Sequence, residues 1–245
     1  MKRIEKIYTK YYKKFDNKEK AIIRKYYHSR RVMNLTKIIA RKHKFNKYDI
    51  QIAMVIGLLH DYGRFEQWTK YKTYKDFESV DHASLGVKLL KENNEIEKYW
   101  KRKADYDEIF DAIENHNKLK IALMSNHNEK LSKAVRDADK LDIFYLASIK
   151  EIPNNIYCVT SDKISEKIQN GFDNKTAINV KDVKNKNDEI IYFIAMVFDI
   201  NYSYSFKYLY KYDLINKIYN NIENKEKIKP YFDEINKYIK EMKNK

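Results

Sequence analysis

The sequence predicts an all-α fold, and three observations carry that prediction. Only 4 glycines and 2 prolines occur in 245 residues, too few breakers for a β-rich chain full of tight turns. Apolar residues recur at the helical period through most of the chain rather than in the alternation of a half-buried strand. A hydrophobic share of 43%, with 14% aromatic, supplies one sizeable core. The expected organisation is a single domain over residues 1–245, with a motif-bearing core at about 20–150 and a C-terminal helical extension at about 151–245.

The elements follow in order. Asp16 and Glu19 have the spacing of a capping box, opening a long helix that runs to about His43. His28, Val32, Leu35 and Ile39 share one face of it. Tyr48 to Asp61 reads as a second, strongly apolar helix. Asp81 is placed as the N-cap of HASLGVKLLKEN. A fourth helix covers about Asp105 to His116, with Ile109, Ala112, Ile113 and His116 in phase. Another covers Leu131 to about Ile149, where Leu131, Ala134, Val135, Ala138 and Asp142 are in phase. Ser161 is a candidate cap for a helix that Gly171 ends. Residues 173–187 are polar and aperiodic, a loop with room for a short hairpin. A buried helix is expected from about Asp188, and a last helix pair from there to Lys245.

Composition narrows the class. No apolar run approaches the ~18 residues of a bilayer span. The start, MKRIEKIYTKYYKKF, is charged throughout and does not read as a secretory signal. Cys158 is the single cysteine, so no internal disulfide forms and a reducing cytoplasm is the expected location. The net charge of +15 raises a polyanion partner. Against it, 42 of the 50 basic residues are Lys, spread along the chain with acidic residues interleaved, the pattern of a compositional bias.

The stretch LLHDYGRFEQ (58–67) sets His60 and Asp61 side by side at the end of an apolar helix. Adjacent residues point ~100° apart on a regular helix, so they converge on one point most easily where the helix stops. A helix C-terminus also favours a cation. His28 lies mid-helix on an apolar face, His82 opens a helix, His116 ends one, and Asp139 lies in RDADKLD, one residue past the apolar face. His43 and His127 stand in polar contexts and read as surface residues. A lone histidine near an apolar face is ordinarily a satisfied core residue. Several His and Asp buried together are costly without a cation or hydrogen bonds. Imidazole and carboxylate suit Zn, Mn, Fe or Co. Four His and two Asp exceed one tetrahedral ion, whereas one Asp bridging two ions accounts for the set, an arrangement suited to activating water and clamping a phosphoryl group.

The blocks HSRRV (28–32), LLHDYGR (58–64) and ADKLD (138–142) resemble, in order, the motifs of the HD superfamily of metal-dependent phosphohydrolases, over roughly residues 20–150. His82 in DHASLGVKLL and His116 in IENHNK resemble the two extra histidines of its dinuclear subgroup, which includes cyclic-dinucleotide phosphodiesterases of the HD-GYP type and diadenosine tetraphosphate hydrolases. The segments GRFEQ and DHASLGV are also similar to a group of bacterial HD proteins. The resemblance implies an HD-type helical bundle and two divalent transition-metal ions per chain, iron, manganese or another. It implies that His28, His60, Asp61 and Asp139 hold the first ion, that Asp61 bridges to a second held by His82 and His116, and that Arg64 meets a substrate phosphate. Asp61 and Arg64 are thereby the expected catalytic residues. NKLK follows His116 where the HD-GYP type carries GYP, which argues against cyclic di-GMP.

Arg31, one turn from His28, is a further candidate for the same cavity, and Lys118 and Lys140 are candidate substrate contacts. Glu66 and Gln67 are candidates for its mouth, with Gln67 and Trp68 read equally well as ordinary loop residues. The expected function is metal-dependent hydrolysis of a phosphomonoester or phosphodiester of a nucleotide-type substrate, with no membrane partner. A non-catalytic nucleotide sensor and a nuclease or nucleic-acid-binding protein remain open beside it. Metal-dependent turnover separates the first from an enzyme, and a steep salt dependence of strand binding marks the second.

Overall fold

Helix follows helix with short connections in the computed structural model, which describes residues 2–121, 126–152 and 156–245. The elements are α1 (Lys2–Tyr12), α2 (Lys20–Lys42), α3 (Lys47–Leu59), α4 (Arg64–Tyr71), α5 (His82–Lys91), α6 (Tyr106–Asn115), α7 (Asn126–Ser148), α8 (Glu166–Asp173), α9 (Lys186–Ala195), α10 (Ser203–Tyr212), α11 (Leu214–Asn220) and α12 (Lys229–Met242). The all-α class is confirmed. Among the described residues there is no strand, only an isolated parallel bridge between Cys158 and Glu223. The chain divides into two compact units, Met1–Ala138 and Asp139–Lys245, the division falling inside α7.

The first unit is built on α2 packed along α3. Asn46 caps α3 by accepting from the Asp49 amide at 2.8 Å, and every residue of α3 from Ile52 to Leu59 is buried. A helix apolar all round must lie inside a bundle. At the start of α2, Glu19 rather than Asp16 sits at the cap and accepts from the Ala21 amide. Asp16 closes its own short turn on the Lys18 amide at 3.0 Å, so the expected capping box is two separate turns.

Two helices here exceed the sequence reading. The charged N-terminus forms α1, whose Ile4, Tyr8 and Tyr11 recur at helical spacing and are buried, with lysines on the other face. Gln67 and Trp68 lie on α4 and not in a loop. Tyr11 stacks on Tyr62 at 3.9 Å between centroids, and Phe65 contacts Tyr8, Tyr11 and Phe15 at 5.9, 5.8 and 5.3 Å. Aromatic packing thus joins α1 to α4 and to the residue after Asp61.

In the second unit α8 starts later than expected, at Glu166, because Ser165 is held by the buried Asp188 through its amide and hydroxyl at 2.8 and 2.6 Å. Gly171 lies inside α8, not past its end, and Ile178 packs against it so closely that a Cβ would meet Cγ1 at 2.8 Å. Between α8 and α9 there is one short 3₁₀ turn, Val180–Asp182, and no hairpin. The apolar helix expected from Asp188 begins at Lys186 under an Asn185 cap. Three helices, not two, follow: Asp213 at φ 52° separates α10 from α11, a left-handed position that Asp tolerates better than most residues. No helix among the described residues is long and apolar enough to cross a membrane.

Phe65→Ala is expected to cost about 3–5 kcal/mol, the range for emptying a fully buried aromatic position. Chemical denaturation checks it, and a loss below about 1 kcal/mol would show that α1 contributes no packing to this core.

Candidate metal centre

The last carbonyls of a helix have no intrahelical partner. Two histidines use this fact. His60 is the C-cap residue of α3, and its Nδ1 lies 2.9 Å from the Gly57 carbonyl. His116 is the C-cap residue of α6, and its Nδ1 lies 2.6 Å from the Ile113 carbonyl. A carbonyl only accepts, so each Nδ1 carries a proton and each ring turns its Nε2 the other way. His82 opens α5 behind its cap, Asp81, which accepts from the Ala83 and Ser84 amides as expected. Its Nδ1 donates to Asp76 at 2.7 Å, so its Nε2 is also turned outward. His28 comes from the middle of α2.

These rings meet around Asp61. Its Oδ2 lies 3.4 Å from Nε2 of both His28 and His60, which are 3.2 Å from each other. Its Oδ1 lies 3.3 Å from Nε2 of His82 and 3.8 Å from that of His116, which are 3.0 Å from each other. One carboxylate therefore faces two histidine pairs, one pair per oxygen. All five side chains are buried. Burial opposes ionisation of Asp61, but Lys25, His60 and His28 outweigh it and hold the carboxyl well below the usual range. Burial, then the Arg64 charge, pushes the His82 imidazole down against the opposing pull of Asp76 and Asp61, so the ring is neutral at neutral pH.

The donor set tests the fit to a metal. Nε2 of His82, Nε2 of His116 and Oδ1 of Asp61 converge on one small volume, 3.0–3.8 Å apart, and imidazole with carboxylate is the donor set of divalent transition metals. His60, Asp61 and His116 each offer an atom within 4.8 Å of the others, as do Asp76, Asp81 and His82. The residues fit such ions.

Asp139 opens the second unit, half-buried on α7 directly after Ala138. Arg31 is half-buried one turn after His28. Arg64 lies beside the carboxylate: Nε donates to Asp61 Oδ1 at 3.3 Å, and Nη1 donates to Gln67, the Tyr74 carbonyl and Asp76 at 2.8, 2.6 and 3.0 Å. Lys118 pairs with the capping Asp81 at 2.6 Å, and Lys140, in the second unit, with Asp199 at 2.7 Å. Glu66 is half-buried on α4. Gln67 is fully buried and donates to Asp76, Ser79 and the Val80 carbonyl, tying down the segment that carries Asp76. His43 is half-buried, and His127, its side chain 40% exposed, joins Asp49 at 2.9 Å and also Glu108.

Four residues escaped the sequence reading. Lys25 donates to Asp61 Oδ2 at 2.6 Å; among so many lysines only its place one turn before His28 marks it. Asp76 orients His82 from six residues away in a stretch without periodicity. Arg136 is buried, and its Nη1 donates to the carbonyls of Asn115, His116 and Lys118 at 2.8, 3.2 and 2.6 Å, holding the helix end that carries His116. Gly63 is a close approach: a Cβ there would meet the His82 carbonyl at 2.4 Å and the Gly86 amide at 2.7 Å. The glycine lets the turn after Asp61 touch the start of α5, which brings His82 within reach.

Comparison with known families agrees with this geometry. The family model of the HD domain matches residues 26–143, a span that includes His28, His60, Asp61, His82, His116 and Asp139, and the match supports the resemblance to the HD superfamily of metal-dependent hydrolases. No curated protein and no solved structure matches the chain.

Gly63→Ala is expected to push α5 back and weaken metal binding at the His82–His116 pair; calorimetric titration with Mn²⁺ should show the lower affinity, and an unchanged titration would mean that the close approach does not position His82. Asp76→Asn replaces the carboxylate that orients His82, and equilibrium dialysis should show metal affinity lower by about 10–100-fold. An unchanged affinity would mean that Asp76 serves only the loop.

Proposed function

We propose that the protein is a metal-dependent phosphohydrolase that cleaves a phosphomonoester or phosphodiester of a nucleotide-type substrate and holds two divalent ions, iron, manganese or another. The observation that carries this reading is the single buried carboxylate with a histidine pair on each oxygen. His82, His116 and Asp61 Oδ1 would hold one ion; His28, His60 and Asp61 Oδ2 would hold the other. The family match extends beyond Asp139, and the resemblance assigns that carboxylate to the second of these sets. When bound, the ions supply a water ionised near neutral pH and take up charge on the phosphoryl oxygens.

The chain's own residues do the rest. The Nδ1 hydrogen bonds of His60, His82 and His116 fix ring tautomer and direction before any ligand arrives, so no reorganisation accompanies binding. Burial around Asp61 excludes bulk water and strengthens every charge interaction there. Arg64 is anchored through Nε and Nη1, and its Nη2 makes none of those bonds, leaving one arm of the guanidinium for a phosphate oxygen. NKLK after His116, in place of GYP, removes the feature that would point to cyclic di-GMP.

Anaerobically purified protein should carry close to two ions per chain and hydrolyse nucleotide phosphate esters with Mn²⁺ or Fe²⁺. Asp61→Ala should lose both ions and at least about 10³-fold in turnover, since the bridging ligand of a catalytic centre has no substitute, while circular dichroism stays helical. Full turnover by that variant, or cyclic di-GMP as the preferred substrate, would refute the reading.

A further inference from the structure

His82 and His116 come from different helices, yet their Nε2 atoms stand 3.0 Å apart. His82 opens α5 and His116 follows the last turn of α6, so neither helix by itself sets that separation. Asn117, the residue after His116, spans the gap. Its Nδ2 lies 3.2 Å from Asp76 Oδ2, 3.3 Å from Asp81 Oδ1 and 3.5 Å from His82 Nδ1.

Both of those oxygens already serve His82. Asp76 Oδ2 takes the Nδ1 proton of its ring at 2.7 Å. Asp81 Oδ1 caps the helix that His82 opens, accepting from the Ala83 and Ser84 amides at 3.0 and 3.1 Å. The first bond sets the direction of the ring, and the second sets the start of the helix that carries it. The opposite oxygens of the two carboxylates are held by cations, Asp76 Oδ1 by Arg64 at 3.0 Å and Asp81 Oδ2 by Lys118 at 2.6 Å. What the inner oxygens need is one hydrogen each. A primary amide is neutral and carries two N–H hydrogens on one nitrogen, one for each carboxylate. His82 Nδ1 needs none, since it carries its own proton.

The other end of the amide makes no such contact. Asn117 Oδ1 is buried and has no hydrogen-bond partner among the described residues. An unmatched buried acceptor is unfavourable, so the side chain is placed by its nitrogen. The backbone here is held from α7, where Arg136 donates to the carbonyls on either side of Asn117, those of His116 and Lys118, at 3.2 and 2.6 Å.

We propose that Asn117 is a positioning residue: by placing one amide hydrogen on Asp76 and one on Asp81, it fixes His82 against His116 and sets the separation of that pair. This rests on the reading of the pair as a metal-binding set and names the residue that assembles it from two helices.

Ring-to-ring nuclear Overhauser contacts in the metal-free protein read this placement directly. The His82 and His116 rings lie 4.9 Å apart between centroids, and the His60 and His116 rings 5.0 Å. Asn117→Ala is expected to lose the first contact and keep the second. Its Mn²⁺ affinity by equilibrium dialysis should fall about 10–100-fold, the range for removing an outer partner of a ligand histidine. Asn117→Gln should restore part of both, because it carries the same two hydrogens on a longer stem. Asn117→Asp keeps the shape but not both hydrogens; its added charge alone would tighten a cation, whereas lost positioning weakens it. A His82–His116 contact that survives Asn117→Ala, loss of both ring contacts together, an unchanged affinity, or tighter Mn²⁺ binding by Asn117→Asp would overturn the assignment. Failure of the wild-type protein to bind Mn²⁺ would instead remove the metal reading, and the ring contacts of the metal-free protein would still decide the role of Asn117.

Discussion

A buried carboxylate shared between two pairs of imidazoles is the constraint around which the first unit is arranged. Asp61 is almost fully withdrawn from water, a placement that costs several kcal/mol for an isolated charge. What offsets that cost is local and directional: Lys25 and the His28 and His60 rings on one oxygen, and Arg64 on the other. Few neighbours of Asp61 can change without consequence for that balance. Tyr62, the next residue, is clamped under Tyr11, and Gly63 is pressed against α5.

Helix ends do most of the positioning. His60 and His116 each terminate a helix and fold back on a carbonyl three residues earlier; His82 starts a helix and leans on a carboxylate. Each therefore borrows an orienting partner that its place in the helix leaves available. His28 comes from the middle of α2. The long-range supports, Arg136 under the end of α6 and the Gln67–Asp76 tie, hold the ends against one another.

Charge is organised at two scales. The net +15 is spread over the chain as lysine-rich surface with interleaved acids and names no partner. Close to Asp61, by contrast, cations are held individually, by an aromatic ring, by the carboxylate itself and by carbonyl oxygens. It is the second scale that bears on the chemistry of the site, because buried charges are screened far less than exposed ones.

The helical class and the histidines that meet around Asp61 were legible from the sequence because both are periodic or local properties. Scarce glycine and proline left helices as the economical fold, and HSRRV, LLHDYGR and DHASLGV carry their residues within single helices or helix ends. The α1 helix was hidden because its buried Ile4, Tyr8 and Tyr11 are interleaved with lysines, and the start of α8 because Ser165 is selected by Asp188, 23 residues away. Tertiary structure alone decided which oxygen of Asp61 faces which histidine pair, that Asp76 orients His82, that Arg136 braces His116, and that Lys25 and Arg64 share Tyr74. Those relations depend on distances between helices, set by packing such as the Gly63–Gly86 approach, and no pattern along one helix encodes a distance to another.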